Sequence, residues 1–186
     1  AMANQDVRYF LNGLLLEIGS EGISAIATDG HRLAIANHSC ETGHAGDVQQ
    51  IIVPRKAVTE LSRLLANEDG EITVEIGSNA LRISLNSIQM TTKLIDGRFP
   101  DYQKVIPEIT EGVREIRVGR ELLRQSLARA SILSNEKYKA VRLVLDDGVL
   151  RIVANNPDQE EAQDEIEVEY SGGALEIGFN VSYLMD

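Results

Sequence analysis

Hydrophobic and polar residues alternate along much of the chain, and this pattern predicts short antiparallel strands. The segments "GLLLEI", "GISAIAT" and "RLAIAN" predict three strands in succession, followed by a polar loop over residues 38–50. Further along, "ITVEIGS", "ALRISLNS" and "IQMTTKLID" predict three more strands joined by turns. Because a half-buried strand places successive side chains on opposite faces, a period of about two is the expected signal.

Two segments change from this period to that of a helix. The stretch "IIVPRKAVTELSRLL" predicts a strand that runs into a helix, with Pro54 in the first helical turn, a position that favours proline. Helical spacing predicts that one face of this helix is formed by Ala57, Val58, Leu61, Leu64 and Leu65. The stretch "IRVGRELLRQSLARASIL" predicts a second strand and helix. The corresponding face of the second helix is predicted to be Leu122, Leu123, Ser126, Leu127 and Ala130.

The order of elements then repeats. The stretch "VRLVLDDGVLRIVANN" predicts a hairpin around Asp147 and Gly148, "EAQDEIEVEYS" a further strand, and "ALEIGFNVSYLMD" a strand followed by a helix. These segments align with earlier ones at an offset of about 125 residues, which predicts two similar domains. The linker "GRFPDYQKVIPEITEG" between them holds three of the four prolines. Since the repeats are incomplete, we expect the chain to be a piece of a longer protein.

The bulk composition excludes several classes of protein. With 43% hydrophobic and 25% charged residues, the 186-residue chain is typical of globular proteins. No apolar run approaches the roughly 18 residues of a membrane span. The single cysteine, Cys40, excludes an internal disulfide and a zinc site built from several thiolates. This cysteine usage favours the cytoplasm, and no cofactor is expected.

Charge is distributed unevenly along the chain, whose net charge is −11. Residues 158–169 carry seven acids and no base, whereas residues 120–139 carry five bases and two acids. The net charge alone argues against wrapping nucleic acid, but the segregation fits an acidic body with one basic face. Solvated surfaces of opposite sign are the alternative interpretation.

One short stretch, "TDGHRLA" at residues 28–34, combines an acid, a glycine, a histidine and an arginine. A hydrolase that used Asp29 and His31 would need an activated nucleophile, and the sequence contains no G-x-S-x-G, P-loop or G-x-G-x-x-G motif. The histidines at 31, 38 and 44 lack the spacing of a metal site. Asp-Gly is typical of a tight turn, but the second repeat has "ANNPDQEEA" there. We therefore expect His31 and Arg32 to serve a function specific to the first domain.

Several segments occur in the order and spacing of one known family: "QDVRYFLNG", "ATDGHRLA", "IIVPRKAVTEL", "TTKLIDGRFPDYQKVIP", "ILSNEKYKAVRL", "NNPDQEEAQDEI" and "EIGFNVSY". Over essentially its whole length the chain resembles the bacterial sliding clamps, the β subunits of DNA polymerase III. The resemblance implies an α+β fold of the processivity type, with helices on one face and antiparallel sheets on the other. It implies most of a middle domain with the linker at residues 1–110, and a truncated C-terminal domain at residues 111–186.

The same resemblance implies a function without catalysis. Clamp subunits close head to tail into a homodimeric ring around duplex DNA, whereas this chain by itself is expected to be a monomer. The ring tethers DNA polymerases, the clamp loader and repair proteins through short motifs of the Q-x-x-[LM]-x-[LF] type. The expected location is the cytoplasm, with no membrane partner. A stand-alone peptide-binding module without a DNA role is the alternative.

The resemblance also assigns residues to sites, with no catalytic or metal-binding residue among them. The implied peptide-binding pocket consists of Leu11, Thr28, Gly30, His31, Arg32, Leu33, Pro100, Lys104, Val105, Asn180 and Tyr183. The implied DNA-facing residues are Gln5, Arg8, Tyr9, Phe10, Arg55, Lys56, Arg120 and Arg124. The implied subunit interface includes Ile132 and Leu133. Lys104 stands where arginine is common in the family, which weakens planar, bidentate hydrogen bonding, and Phe10 replaces a frequent tyrosine.

Overall fold

The computed structural model describes residues 1–66, 70–108, 113–135, 137, 139–158 and 160–186. Within them the chain forms two compact units, Ala1–Ile106 and Pro107–Asp186. The domain boundary predicted between residues 110 and 111 lies outside the described residues. Each unit combines antiparallel sheet with helix, so the α+β class is confirmed.

The first unit contains two antiparallel sheets and one α-helix. Its larger sheet has the order β3-β2-β1-β4 and its smaller sheet the order β5-β6-β7. The strands are β1 (Gly13–Gly19), β2 (Gly22–Thr28), β3 (Leu33–Ser39), β4 (Gln49–Pro54), β5 (Thr73–Ile76), β6 (Ala80–Leu85) and β7 (Ile88–Lys93). Helix α1 (Arg55–Leu65) follows β4 directly and packs on β1 and β4. Two short 3-10 turns, Tyr9–Asn12 and Tyr102–Val105, flank these elements.

The second unit repeats the larger sheet. Its strand order, β10-β9-β8-β11, matches β3-β2-β1-β4 element for element, which confirms the predicted repeat. The elements are α2 (Arg120–Ser131), β8 (Ala140–Asp146), β9 (Val149–Asn155), β10 (Glu161–Glu167), β11 (Leu175–Asn180) and α3 (Val181–Met185). The hairpin turn predicted at Asp147 and Gly148 is confirmed, with Gly148 at φ +70°. Helix α2 packs on β9 and β10.

Three details of the predicted elements are wrong. The strand expected before α2 is reduced to a single bridge between Arg117 and Glu169. Leu122 is 44% exposed, because α2 buries only the narrower face formed by Ser126, Leu127 and Ala130. The polar loop begins later than residue 38, since β3 continues through Ser39 while it remains paired with β2.

The cores are aliphatic, as a chain without tryptophan requires. In the first unit, Leu11, Leu15, Ile26, Ile52 and Phe99 belong to one buried cluster. A second cluster joins α1 to the smaller sheet through Ala57 and Leu81. In the second unit, α2 closes the sheet over Leu150 and Ile152, among others. Across the described ranges, each helix is too short or too polar to cross a bilayer.

Candidate functional site

The turn between β2 and β3 is held by its own side chains. The Thr28 hydroxyl donates to the Arg32 carbonyl at 2.7 Å and accepts from the Gly30 amide at 3.1 Å. Asp29 Oδ1 accepts from the backbone amides of His31 at 2.9 Å and Arg32 at 3.1 Å. Gly30 has φ +87°, a conformation that glycine adopts without steric cost. The turn is therefore rigid and leaves Gly30 and His31 exposed.

Asp29 is engaged in this turn in a way that does not suit a general base. Its Oδ2 accepts from Arg32 Nε at 3.2 Å, and only 17% of its side chain is exposed. Burial pushes the pKa of Asp29 upward, but the amide hydrogen bonds from His31 and Arg32 and the Arg32 charge outweigh it, so the pKa lies below its usual value. A carboxylate with a lowered pKa is a weak base at neutral pH. Asp29 is therefore an anchor of the turn.

A residue from a distant part of the chain also reaches the turn. Arg8 Nη2 donates to the Asp29 carbonyl at 3.3 Å, across 21 positions in the sequence. The same guanidinium pairs with Asp6, with Nη2 at 2.8 Å from Oδ2 and Nε at 3.0 Å from Oδ1. A Cβ atom on Gly30 would lie 3.1 Å from Arg8 Nη1. The guanidinium of Arg8 thus lies against the backbone of Gly30.

A buried apolar cluster of the first unit lies next to this turn. Leu33, at the end of the turn, packs against the cluster that contains Leu11 and Phe99, and so does Tyr102. Leu11 is only 2% exposed, which gives it a supporting position rather than a surface one. The Tyr102 hydroxyl donates to Glu17 Oε2 at 2.9 Å and so ties the 3-10 turn at 102–105 to β1.

The remaining predicted pocket residues of the first unit lie on that 3-10 turn or just before it. Pro100 and Lys104 are exposed, and Val105 is 68% exposed. Lys104 Nζ pairs with Asp101 Oδ2 at 2.9 Å. The segment therefore presents an apolar side chain and a cation next to each other.

In the second unit, Asn180 and Tyr183 lie at the start of the last helix. The Asn180 side chain caps α3 by accepting from the Ser182 amide at 2.9 Å. Tyr183 is 37% exposed. The side-chain oxygen of Asn180 is therefore already engaged in the cap.

The predicted DNA-facing cations differ in how they are engaged. Arg55 Nη1 donates to the carbonyls of Met2 and Ala3, at 2.8 and 3.2 Å. Arg124 pairs with Glu121 at 3.4 Å. Lys56 and Arg120 are exposed at the first turns of α1 and α2 and form no salt bridge with the described residues.

The other residues assigned to DNA or to the subunit interface lie mostly at the surface. Gln5 is exposed with φ +57°, and Tyr9 is 56% exposed. Phe10 packs against the core cluster beside Tyr9, with ring centroids 5.7 Å apart in an edge-to-face arrangement. Ile132, just beyond α2, is 79% exposed, whereas Leu133 is half-buried.

Sequence reasoning missed the anchoring roles of Asp29 and Tyr102 and the contact of Arg8 with the turn. An aspartate that caps its own turn is a known local pattern, so the role of Asp29 could have been found from "TDGHR". The Arg8 and Tyr102 contacts join segments far apart in the chain and leave no local signal. Among the described residues, no group of three His, Cys, Asp or Glu side chains could hold a metal ion.

Comparison with known proteins gives the same relationship over the whole chain. Residues 1–101 match the family model described as the central domain of the DNA polymerase III β subunit, and residues 103–186 match its C-terminal domain. The β sliding clamps of Pseudomonas aeruginosa and Escherichia coli are 51% and 49% identical to this chain, over 187 and 186 residues. Each alignment covers all of this chain and 50% of the relative. The chain thus spans about half the length of the curated relatives it matches.

Solved structures are similar to the same extent. The DNA polymerase III β subunit from Pseudomonas aeruginosa has a TM-score of 0.93 at 50% identity, covering 100% of this chain and 50% of the other. A sliding clamp from the same organism bound to griselimycin has a TM-score of 0.89 at 50% identity, covering 100% of this chain and 49% of the other.

Proposed function

Because this chain belongs to the family of DNA polymerase III β subunits, the bacterial sliding clamps, we propose that it is part of a clamp that encircles duplex DNA. In that function it tethers DNA polymerases, the clamp loader and repair proteins through a peptide-binding site. It does so without catalysis, in the cytoplasm and as part of a head-to-tail homodimeric ring.

The observation that carries the peptide-binding proposal is the rigid turn at residues 28–33. Its backbone is fixed before any ligand arrives, and preorganisation lowers the entropic cost of binding. The Pseudomonas aeruginosa clamp bound to griselimycin supports a ligand site in this family.

The role proposed for each side chain in peptide binding follows from its chemistry. Leu33 and Val105 would contact the apolar anchors of a peptide, while His31 and Arg32 at the turn would fix its polar groups. An apolar centre with a polar rim is the usual anatomy of an energetic hot spot.

The DNA role rests on cations at two helix starts. Lys56 and Arg120 are exposed and make no salt bridge within the described ranges, so they can pair with phosphates at little internal cost. Arg55 and Arg124 would first have to give up the partners they have here. Contacts to phosphates position a protein without reading sequence, which is what sliding requires.

A peptide titration tests the first part of this function. A fluorescein-labelled Gln-Ala-Asp-Leu-Ala-Phe peptide should bind the chain, and Arg32→Ala should weaken binding by about fivefold or more. Arg82→Ala is the matched control, because Arg82 is also paired with a carboxylate but lies on β6, outside the proposed site. Equal affinity of Arg32→Ala and wild type would contradict the assignment. Ester hydrolysis that disappears in His31→Ala would instead support the hydrolase.

Salt-dependent DNA binding tests the second part. If about four phosphates are neutralised, the logarithm of the binding constant should fall with log salt at a slope near −3.6. If only Lys56 and Arg120 contact phosphates, the slope should be about half of that. Binding should show no sequence preference and should be lost in Lys56→Glu. Tight, sequence-dependent binding would refute the clamp assignment, and no DNA binding at low salt would favour the stand-alone peptide module.

A further inference from the structure

Arg8 belongs to both of the proposed binding surfaces. It was assigned to the DNA-facing set, yet its guanidinium rests on the turn of the proposed peptide site. Arg8 Nη2 contacts the Asp29 carbonyl at 3.3 Å, and Nη1 and Nη2 lie 3.1 and 3.2 Å from where a Gly30 Cβ would be. Half of the Arg8 side chain is nevertheless exposed, so solvent and ligands can reach it.

The turn does not depend on Arg8 for its shape. Its internal hydrogen bonds, from Thr28 and Asp29, run entirely among residues 28–32. Arg8 adds one long contact to the outside of an already closed turn. Its effect is therefore to cover the side of Gly30 from which a Cβ atom would project, while the rest of Gly30 stays exposed.

Asp6 holds Arg8 in this position. Its carboxylate accepts from the Arg8 side chain at 2.8 and 3.0 Å and from the Arg8 amide at 2.8 Å. The Arg8 and Asp6 side chains are 50% and 22% exposed, so water and dissolved ions reach this pair and weaken it. A DNA phosphodiester offers a guanidinium the same bidentate geometry and the same single negative charge as a carboxylate, so it can compete with Asp6 for Arg8.

We propose that Arg8 couples DNA binding to peptide binding: a DNA phosphate that captures the Arg8 guanidinium frees the side of Gly30 that Arg8 covers and raises the affinity of the turn for peptide. This coupling rests on the proposed function of both surfaces. By linkage, bound peptide must raise the affinity for DNA by the same factor. Because the contacts of Arg8 are exposed, the factor should be modest, about two- to fivefold.

The test is a thermodynamic cycle with the labelled peptide and a short duplex at low salt. In wild type, saturating duplex should lower the peptide Kd by about two- to fivefold. Arg8→Ala should bind peptide that much more tightly without DNA and should not respond to it. Asp6→Asn, which loosens the hold on Arg8, should fall between these two. Arg82→Ala, which removes one paired arginine elsewhere in the same unit, should respond like wild type.

A second readout separates the coupling from the function it rests on. The backbone amide resonance of Gly30 should shift when duplex is added to wild type, and should not shift in Arg8→Ala. If peptide and DNA both bind wild type but neither changes the Kd of the other, the coupling is refuted while the proposed function stands. If Arg32→Ala leaves peptide affinity unchanged, the proposed peptide site fails and the coupling fails with it.

Discussion

Replacement of Asp29 tests whether this acid is an anchor or a catalyst. Asp29→Ala removes the acceptor for two backbone amides and the partner of Arg32, at 2.9, 3.1 and 3.2 Å. Asp29→Asn keeps an amide oxygen that can accept from the same backbone groups, but it loses the negative charge. The two variants therefore separate the hydrogen bonds from the ion pair.

The expected magnitudes follow from the geometry and the exposure. Only 17% of the Asp29 side chain is exposed, but His31 is exposed, so water can replace part of the hydrogen bond lost at the His31 amide. Hydrogen bonds to charged groups contribute about 1.5–3 kcal/mol each, and such contributions do not add fully. We expect Asp29→Ala to lower the free energy of unfolding of the first unit by about 2–3 kcal/mol. Asp29→Asn should cost about 0.5–1 kcal/mol, the range of a partly exposed ion pair.

The pH dependence of stability provides an independent test of the role of Asp29. The pKa of Asp29 in the folded chain lies below its ordinary value of 3.8, so the folded state favours the ionised form. Its contribution to stability should be fully present above about pH 4 and should be lost as the pH falls through the folded pKa. Because other carboxylates titrate in the same range, the quantity to measure is the difference between wild type and Asp29→Asn, which should shrink on acidification.

Native-state hydrogen exchange of amides in β2 and β3 is the appropriate assay, because it reports on the first unit separately from the second. Circular dichroism would confirm that each variant is folded. If Asp29→Ala and Asp29→Asn destabilise the chain equally, the backbone hydrogen bonds are not the source of the stability. If neither variant costs more than about 0.5 kcal/mol, a value typical of an unconstrained surface site, the anchoring role is wrong.

Five further substitutions test three other parts of the fold by urea denaturation. Leu127→Ala should cost about 2–5 kcal/mol because the side chain is 1% exposed, whereas Leu122→Ala on the same helix should cost under about 0.5 kcal/mol; equal costs would contradict the narrower buried face. Gly43 lies in the loop before β4, has φ +68°, and a Cβ atom there would meet nothing within 4 Å, so it is a control for Gly30. Gly30→Ala and Gly43→Ala should each cost about 1–2 kcal/mol for a left-handed backbone, and a much larger cost at Gly30 would show that Arg8 cannot move aside. Tyr102→Phe should cost about 1 kcal/mol for its lost hydrogen bond, and no change would mean that the 3-10 turn is held by packing alone.

The repeated sheet could be predicted because its signal is local and occurs twice. Alternating apolar residues specify each strand, and the recurrence of the same order at about 125 residues specifies that the two sheets share a topology. The extent of burial was harder to predict. Leu122 has helical spacing with the core residues of α2, yet it is 44% exposed. Periodicity identifies a face, but the width of that face is decided by the partner that covers it.

The predicted strand before α2 shows that strand composition alone does not produce a strand. The residues "IRV" have strand composition, but the described chain pairs only Arg117 with Glu169 at that place. A strand is stable only where a neighbour offers a continuous ladder, and β-propensity by itself contributes little. Whether a short β-branched segment extends its pairing is therefore a tertiary question that composition cannot answer.

The contact between Arg8 and the turn at residues 28–33 has its origin in the core. Arg8 directly precedes the 3-10 turn Tyr9–Asn12, and its carbonyl accepts from the Leu11 amide at 2.8 Å. Leu11 is buried beside Ile26, and Ile26 lies on β2, the strand that leads into the turn. Burial of one leucine thus places the Arg8 backbone near the turn, where Asp6 holds the guanidinium. A contact set in this way depends on long-range packing, which is why "QDVRYFLNG" and "TDGHRLA" could each be recognised as motifs while their contact through Arg8 could not.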